Sequence, residues 1–279
     1  MQTSAARLCS EKRRFSMSIK LFLAMAVAML GISGTAFAAG NFPVITDIQA
    51  PVGMVYDAQG NLFVAEWGAG RVSKFDPQGK RSTVTDAVRS PSGLAFDDKG
   101  TLFVASYADG NVYRLDADGT PRSIASGFSS PTGLLWASDN TLLVANRNAG
   151  EIVRIFADGR KEVISRGHRT PVGVAQTADG AMYVSCYGGS VDRIGPDGKP
   201  IAVCTSLNTP GVGIIADGEA VLVVDYGGTT VARVTPDGKT APVAQGLRSP
   251  VGLARMPDGR IIVGTWSDSA AFVFAKPQQ

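Results

Sequence analysis

Glu66, Ser106, Asn146, Cys186, Asp225 and Thr265 each stand 15 residues after one of six prolines, Pro51, Pro91, Pro131, Pro171, Pro210 and Pro250, which recur about every 40 residues. This position is polar or reactive in every copy and different in every copy, which a purely structural repeat position has little need to be. Glu66, Asn146 and Asp225 fall on alternate copies, and oxygen donors converging on one axis would suit Ca²⁺ or another divalent cation. The competing chemistry is local, because Asp, Glu, Asn and Ser in such places accept hydrogen bonds from nearby turn amides.

One residue further stand Trp67, Tyr107, Arg147, Tyr187, Tyr226 and Trp266, aromatic in five of six copies although aromatics make up 8% of the chain. Rings at this place either seal the packing between repeats or, exposed around a pore, stack on sugars and other flat ligands. Arg147 is the exception, and a guanidinium among rings can stack or hold a carboxylate. His168, the single histidine, lies three residues before Pro171 and raises a Cys–His pair with Cys186. The matching residues elsewhere are Ile48, Val88, Phe128, Leu207 and Leu247, so a packed structural histidine is expected. Lys74, Arg114, Arg154, Arg193 and Arg233 form a further column, read as repeated pairs with turn aspartates and given no function.

A period near 40 residues is that of a propeller blade of about four strands, so six prolines predict six blades. In the first copy Val52 to Tyr56, Leu62 to Trp67, Arg71 to Phe75 and Arg81 to Thr85 read as strands, and Asp57 to Gly60 and Asp76 to Gly79 as turns closed by glycine. The second strands are continuously apolar, as expected where both faces of a sheet are covered. Residues from Phe42 to Asp47 resemble the outer strand before Pro91, while the copy opened by Pro250 lacks a fourth strand. The expected fold is therefore an all-β, six-bladed β-propeller of four-stranded blades, the N-terminal strand closing the last blade and removing exposed edges.

Segments such as Pro91-Ser92-Gly93-Leu94-Ala95-Phe96-Asp97 followed by Leu102-Phe103-Val104-Ala105 resemble the NHL-repeat propellers and, more distantly, the regucalcin/gluconolactonase group, over essentially all of 41–276. The latter resemblance implies a metal held by a Glu two residues before a first-strand proline, with Asn and Asp at the centre of Pro-x-Gly-like elements. Here the former places hold Gln49, Arg89, Ser129, Arg169, Asn208 and Arg248, and the latter Val52, Ser92, Thr132, Val172, Gly211-Val212 and Val251, with no carboxylate among them. Virginiamycin-type lyases are also similar, but that resemblance implies catalytic histidines together with a Glu, and this chain has one histidine.

Residues 1–38 read as a signal peptide: basic residues from Arg7 to Lys20, an apolar run of about 12 residues from Leu21 to Ile32, then Ala36-Phe37-Ala38. That run is short of the ~20 residues of a spanning helix. Translation from Met17 would leave a compact leader, and the spacing after Arg13-Arg14 favours the general secretory route over a twin-arginine one. Cleavage removes five basic residues and one acidic, so 27 and 24 become 22 and 23, a net charge of about −1 on residues 39–279. No basic stripe remains for nucleic acid. Cys186 and Cys204 fall on the second and fourth strands of one blade, too far apart for a disulfide, so two free thiols are expected.

The sequence thus predicts a periplasmic or secreted propeller without a cofactor or membrane span. Its axial mouth, formed by Glu66, Trp67, Tyr107, Asn146, Arg147, Cys186, Tyr187, Asp225, Tyr226 and Trp266, would bind a small polar or sugar-like ligand or a periplasmic partner protein. The alternative is a metal-dependent lactonase-type hydrolase with Glu66, Asn146 and Asp225 around Ca²⁺ or another divalent ion.

Overall fold

A computed structural model describes residues 43–277, and the leader reading falls outside them. The described residues form six four-stranded antiparallel sheets, each consecutive in sequence but one. In that one Pro43–Ile45 pairs with Ala270–Phe274, placing the N-terminal strand on the outer edge of the last blade. The closing strand ends before the Thr46 and Asp47 that the sequence reading includes, with Asp47 in the left-handed region at φ 65°, and Phe42 lies outside the described residues.

The Pro-x-Gly period has a packing cause. First strands (Pro51–Tyr56, Pro91–Phe96 and their counterparts) surround the axis so closely that each glycine faces the backbone of the next blade. A Cβ on Gly53 would lie 2.3 Å from the Ser92 carbonyl oxygen, and one on Gly93 2.1 Å from that of Thr132. The contact passes around the ring until Gly252 meets Val52. In the fifth blade the first strand, Pro210–Asp217, carries one residue more before its glycine, and Gly213 takes the role.

Apolar layers fill the gaps between blades. Second strands such as Leu62–Glu66 and Leu102–Ser106 are buried at every residue. Ile48, Val88, Phe128 and Leu247 plug successive gaps near the mouth, and His168 occupies the same place before the fourth blade. Of the basic column, Arg114, Arg154 and Arg233 pair with Asp116, Asp139 and Asp217, while Lys74 instead lies over the Phe63 ring, 5.7 Å from its centroid. Cys186 and Cys204 are both free and buried.

Candidate functional site

The 15-residue spacing corresponds to a cross-strand pair. Pro51 faces Glu66, Pro91 faces Ser106, Pro131 faces Asn146, Pro171 faces Cys186, Pro210 faces Asp225 and Pro250 faces Thr265. These side chains turn back into their own blades. Glu66 accepts from the Gln49 amide at 3.0 Å, Asn146 from that of Ser129 at 2.7 Å, and Asp225 from those of Asn208 and Thr209 at 3.1 and 2.7 Å. Ser106 donates to the Arg89 carbonyl at 2.6 Å. The structure therefore does not bring Glu66, Asn146 and Asp225 together at the axis, and these three and Cys186 are not among the residues lining the mouth. The reason is the orphan amides of the turn before each proline, which need an acceptor where water has limited access.

Glu66 is the most heavily engaged of the set. Besides Gln49, its carboxylate accepts from Arg71, Ser73 and Arg81. Burial pushes its pKa up, but hydrogen bonds from Arg71, Ser73, Arg81 and the Gln49 amide outweigh that and hold it below the usual carboxylate range.

The next residue in each copy is aimed differently. Its N–H is held by the carbonyl of the residue before the proline: Trp67 by Ala50, Tyr107 by Ser90, Arg147 by Ser130, Tyr187 by Thr170, Tyr226 by Thr209 and Trp266 by Ser249, at 2.8–3.3 Å. To offer that carbonyl, Ala50, Ser90, Ser130, Thr170 and Ser249 adopt φ between 45° and 60°, a conformation that costs a non-glycine residue about 1 kcal/mol. Five repeats accept the strain at the same place, and in the fifth blade Thr209 makes the same hydrogen bond without it.

Those six side chains form a continuous ring. Trp67 stacks on Trp266 with centroids 6.1 Å apart and meets Tyr107 edge-on at 6.4 Å. Trp266 meets Tyr226 edge-on at 5.7 Å, and Tyr226 packs against Tyr187 at 5.6 Å. The Arg147 guanidinium closes the circle, 5.9 Å from the Tyr107 centroid and 5.5 Å from that of Tyr187, and donates to the Tyr107 hydroxyl at 3.1 Å. The Tyr187 hydroxyl titrates above its ordinary range because of burial and the Tyr226 hydroxyl beside it, against the opposing pull of Arg147.

The ring surrounds a cavity of about 260 Å³ floored by Val52, Ser92, Thr132, Val172, Gly211, Val212 and Val251. Trp67 and Tyr187 keep 40% and 38% of their surface exposed, so the ring packs against itself and also faces solvent. The floor hydroxyls are already used, Ser92 donating to the Pro131 carbonyl at 2.9 Å and Thr132 to that of Ala145 at 3.2 Å. Arg147 is the one charged residue in the lining, and no ion pair holds it among the described residues.

A second polar cluster lies beside the ring, between the third and fourth blades. His168 Nδ1 is 2.8 Å from Asp192 Oδ2 and 4.0 Å from Cys186 Sγ, and its Nε2 is 2.7 Å from Ser165 Oγ. The structure thus brings the Cys–His pair together, but not as a nucleophile and base. Burial and the neighbouring Asp192 carboxylate push the Cys186 thiol far above its ordinary range, which suppresses the reactive thiolate. Ser165, His168 and Asp192 follow the order of an acyl-transfer triad, yet all are buried and none lines the axial cavity. Asp192 went unnoticed in sequence although the repeats flag it: it stands where Ser73, Tyr113, Val153, Ala232 and Phe272 stand in the other blades.

Residues 33–108 match the family model of the SMP-30/Gluconolactonase/LRE-like region. The fold is similar to that of a gluconolactonase from Xanthomonas campestris (18% identity, TM-score 0.72, covering 82% of this chain and 88% of that one). It is also similar to a calcium-binding regucalcin from Agrobacterium tumefaciens (16%, 0.69, 84% and 92%) and to a virginiamycin B lyase from Staphylococcus aureus (18%, 0.64, 81% and 80%). Comparison with curated protein sequences gives no significant match. At these identities the likeness speaks for the fold, which hosts several chemistries. By architecture the chain is a six-bladed β-propeller, similar in fold to that gluconolactonase and that regucalcin, and the match to the family model is confined to residues 33–108.

Proposed function

We propose that the axial mouth binds a small ligand with a flat or sugar-like face and a carboxylate. The observation that carries this is the half-exposed ring of five aromatics and one guanidinium around a cavity without a carboxylate. Rings offer stacking surface, and Arg147, bonded through Nη1 to Tyr107 and Asn148, keeps donors for an anion. Two of the three tryptophans belong to the ring, so intrinsic fluorescence reports occupancy. Titration with glucuronate and benzoate, each beside its neutral counterpart glucose or benzamide, should quench fluorescence more strongly for an acid than for its counterpart. Arg147→Ala should weaken the acid by about 10- to 100-fold, the worth of a charge-assisted hydrogen bond, while leaving its counterpart unchanged. Equal binding of acid and neutral form would defeat the reading.

A metal-dependent lactonase-type hydrolase is the second reading, and the family match together with the gluconolactonase and regucalcin likenesses supports it over a plain binder. The residues at the mouth do not fit a divalent cation, since Glu66, Asn146 and Asp225 serve their own turns and the lining supplies no carboxylate. The decisive measurement is hydrolysis of glucono-1,5-lactone with Ca²⁺ and then with chelator. Chelator-sensitive turnover would favour this reading, and its absence the binder. Export to the periplasm or medium is likewise proposed from the leader in residues 1–38, and N-terminal sequencing of the exported protein should begin at Ala39.

A further inference from the structure

We infer that His168, Cys186 and Asp192 form a buried binding site for a thiophilic divalent metal ion, Zn²⁺ by its donor set. Three departures from the repeat coincide in the fourth blade. Histidine replaces an apolar plug, cysteine occupies the turn-capping position, and aspartate enters an interior place that no other blade makes acidic. Five blades fill this gap without such a set, so closing the gap does not require it. Together the three supply one nitrogen, one sulfur and one oxygen, which no other described trio of such side chains does at this spacing.

The geometry suits one ion. A tetrahedral Zn²⁺ with bonds of ~2.0 Å to N and O and ~2.3 Å to S separates its donors by about 3.3–3.6 Å. Here Nδ1 to Oδ2 is 2.8 Å, Sγ to Oδ2 3.2 Å and Sγ to Nδ1 4.0 Å, so side-chain shifts of about half an ångström complete the triangle. The other ring nitrogen, Nε2, faces Ser165 Oγ at 2.7 Å, the outer hydrogen bond that a metal-ligating histidine ordinarily makes. Ser190 is hydrogen-bonded to both Cys186 and Asp192.

Charge and protons balance. The thiol gives up its proton to solvent as the S–metal bond forms, and the proton that Nδ1 donates to Asp192 in the metal-free site moves to Nε2, which then donates to Ser165 and leaves Nδ1 to bind the ion. A thiolate and a carboxylate then neutralise the divalent ion in a place where an unpaired charge would be costly. This site is separate from the axial mouth, and its fate does not depend on what the mouth binds.

The test uses the full chain, stripped with chelator and reloaded. Co²⁺ should give thiolate-to-metal charge-transfer absorption in the near ultraviolet with visible bands of tetrahedral intensity, displaced by one equivalent of Zn²⁺. Zn²⁺ at 100 times its Kd should raise the thermal midpoint by about 5–10 °C. Cys186→Ser should abolish the charge-transfer band. Should that variant fold poorly, His168→Leu with Asp192→Ala keeps the test open, because it restores residues that other blades already carry at these places. The double variant should fold, bind no Co²⁺ and gain nothing from Zn²⁺. Absence of the band in the unmodified chain, or a Zn²⁺ shift that survives both variants, overturns the site and leaves a hydrogen-bonded plug.

Discussion

Glu66→Gln should destabilise the protein by about 3 kcal/mol at neutral pH, lowering its thermal midpoint by roughly 10 °C. The carboxylate is fully buried and takes hydrogen bonds from two guanidiniums, a hydroxyl and the Gln49 amide. Glutamine keeps the shape but removes the charge, and its amide hydrogens then face donors. The loss sits at the low end for a broken buried ion pair because Arg71 and Arg81 keep 31% and 27% of their side-chain surface in water. The effect has a defined pH dependence. The folded-state pKa of Glu66 is depressed, so its contribution is fully present above the unfolded value near ~4.3 and is lost as pH falls through the folded value. Urea denaturation of both proteins from pH 7 down to pH 3 should show their difference shrinking with acidification. A constant difference would mean that the carboxylate charge is not what stabilises this blade.

Gly93→Ala should be worse, costing about 3 kcal/mol or more, with loss of the folded protein at moderate temperature. The added Cβ would lie 2.1 Å from the Thr132 carbonyl oxygen and 2.6 Å from the Leu134 amide nitrogen, both backbone atoms of the neighbouring first strand. That strand is held by its own sheet, so relief requires moving a blade outward and opening the axis. Gly100→Ala is the control. It has φ 80° but nothing within 4 Å of the new Cβ, so it carries backbone strain of about 1 kcal/mol without a clash. Comparison of urea midpoints decides the matter, and equal losses at the two positions would show that the closeness of the blades is not what makes Gly93 necessary.

Both variants bear on function through the same construction. Pro51 pairs with Glu66, Ala50 holds the Trp67 amide, and Gly53 seats the next blade, so one short segment fixes capping, ring orientation and blade spacing together. Widening the axis would separate Trp67 from Tyr107 and Arg147 from Tyr187, contacts that now close the ring at 5.5–6.4 Å.

The architecture was legible in sequence because a propeller repeats its local chemistry. Each blade restates a proline at the start of its first strand, a glycine where the next blade touches, an apolar second strand and glycine-closed turns, so the copies align without reference to space. The closing strand was equally readable, since an unpaired edge in the last blade needs a partner and the chain offers one at 43–45. The aromatic column was visible as well, because a composition bias repeated at one place survives any uncertainty about direction.

Direction itself was decided by the tertiary structure. Glu66 and Trp67 are adjacent in sequence, and successive strand residues point to opposite sides, but which side meets the axis depends on where the turn amides of Gln49 and Asn208 await an acceptor. The acids therefore serve the turns and the rings serve the mouth. His168, Cys186 and Asp192 are spread over 25 residues and three different places in the repeat, and only the packing of the fourth blade against the third makes them neighbours. Repetition writes a fold into sequence many times over, whereas a site written once depends on contacts between distant residues that no local pattern contains.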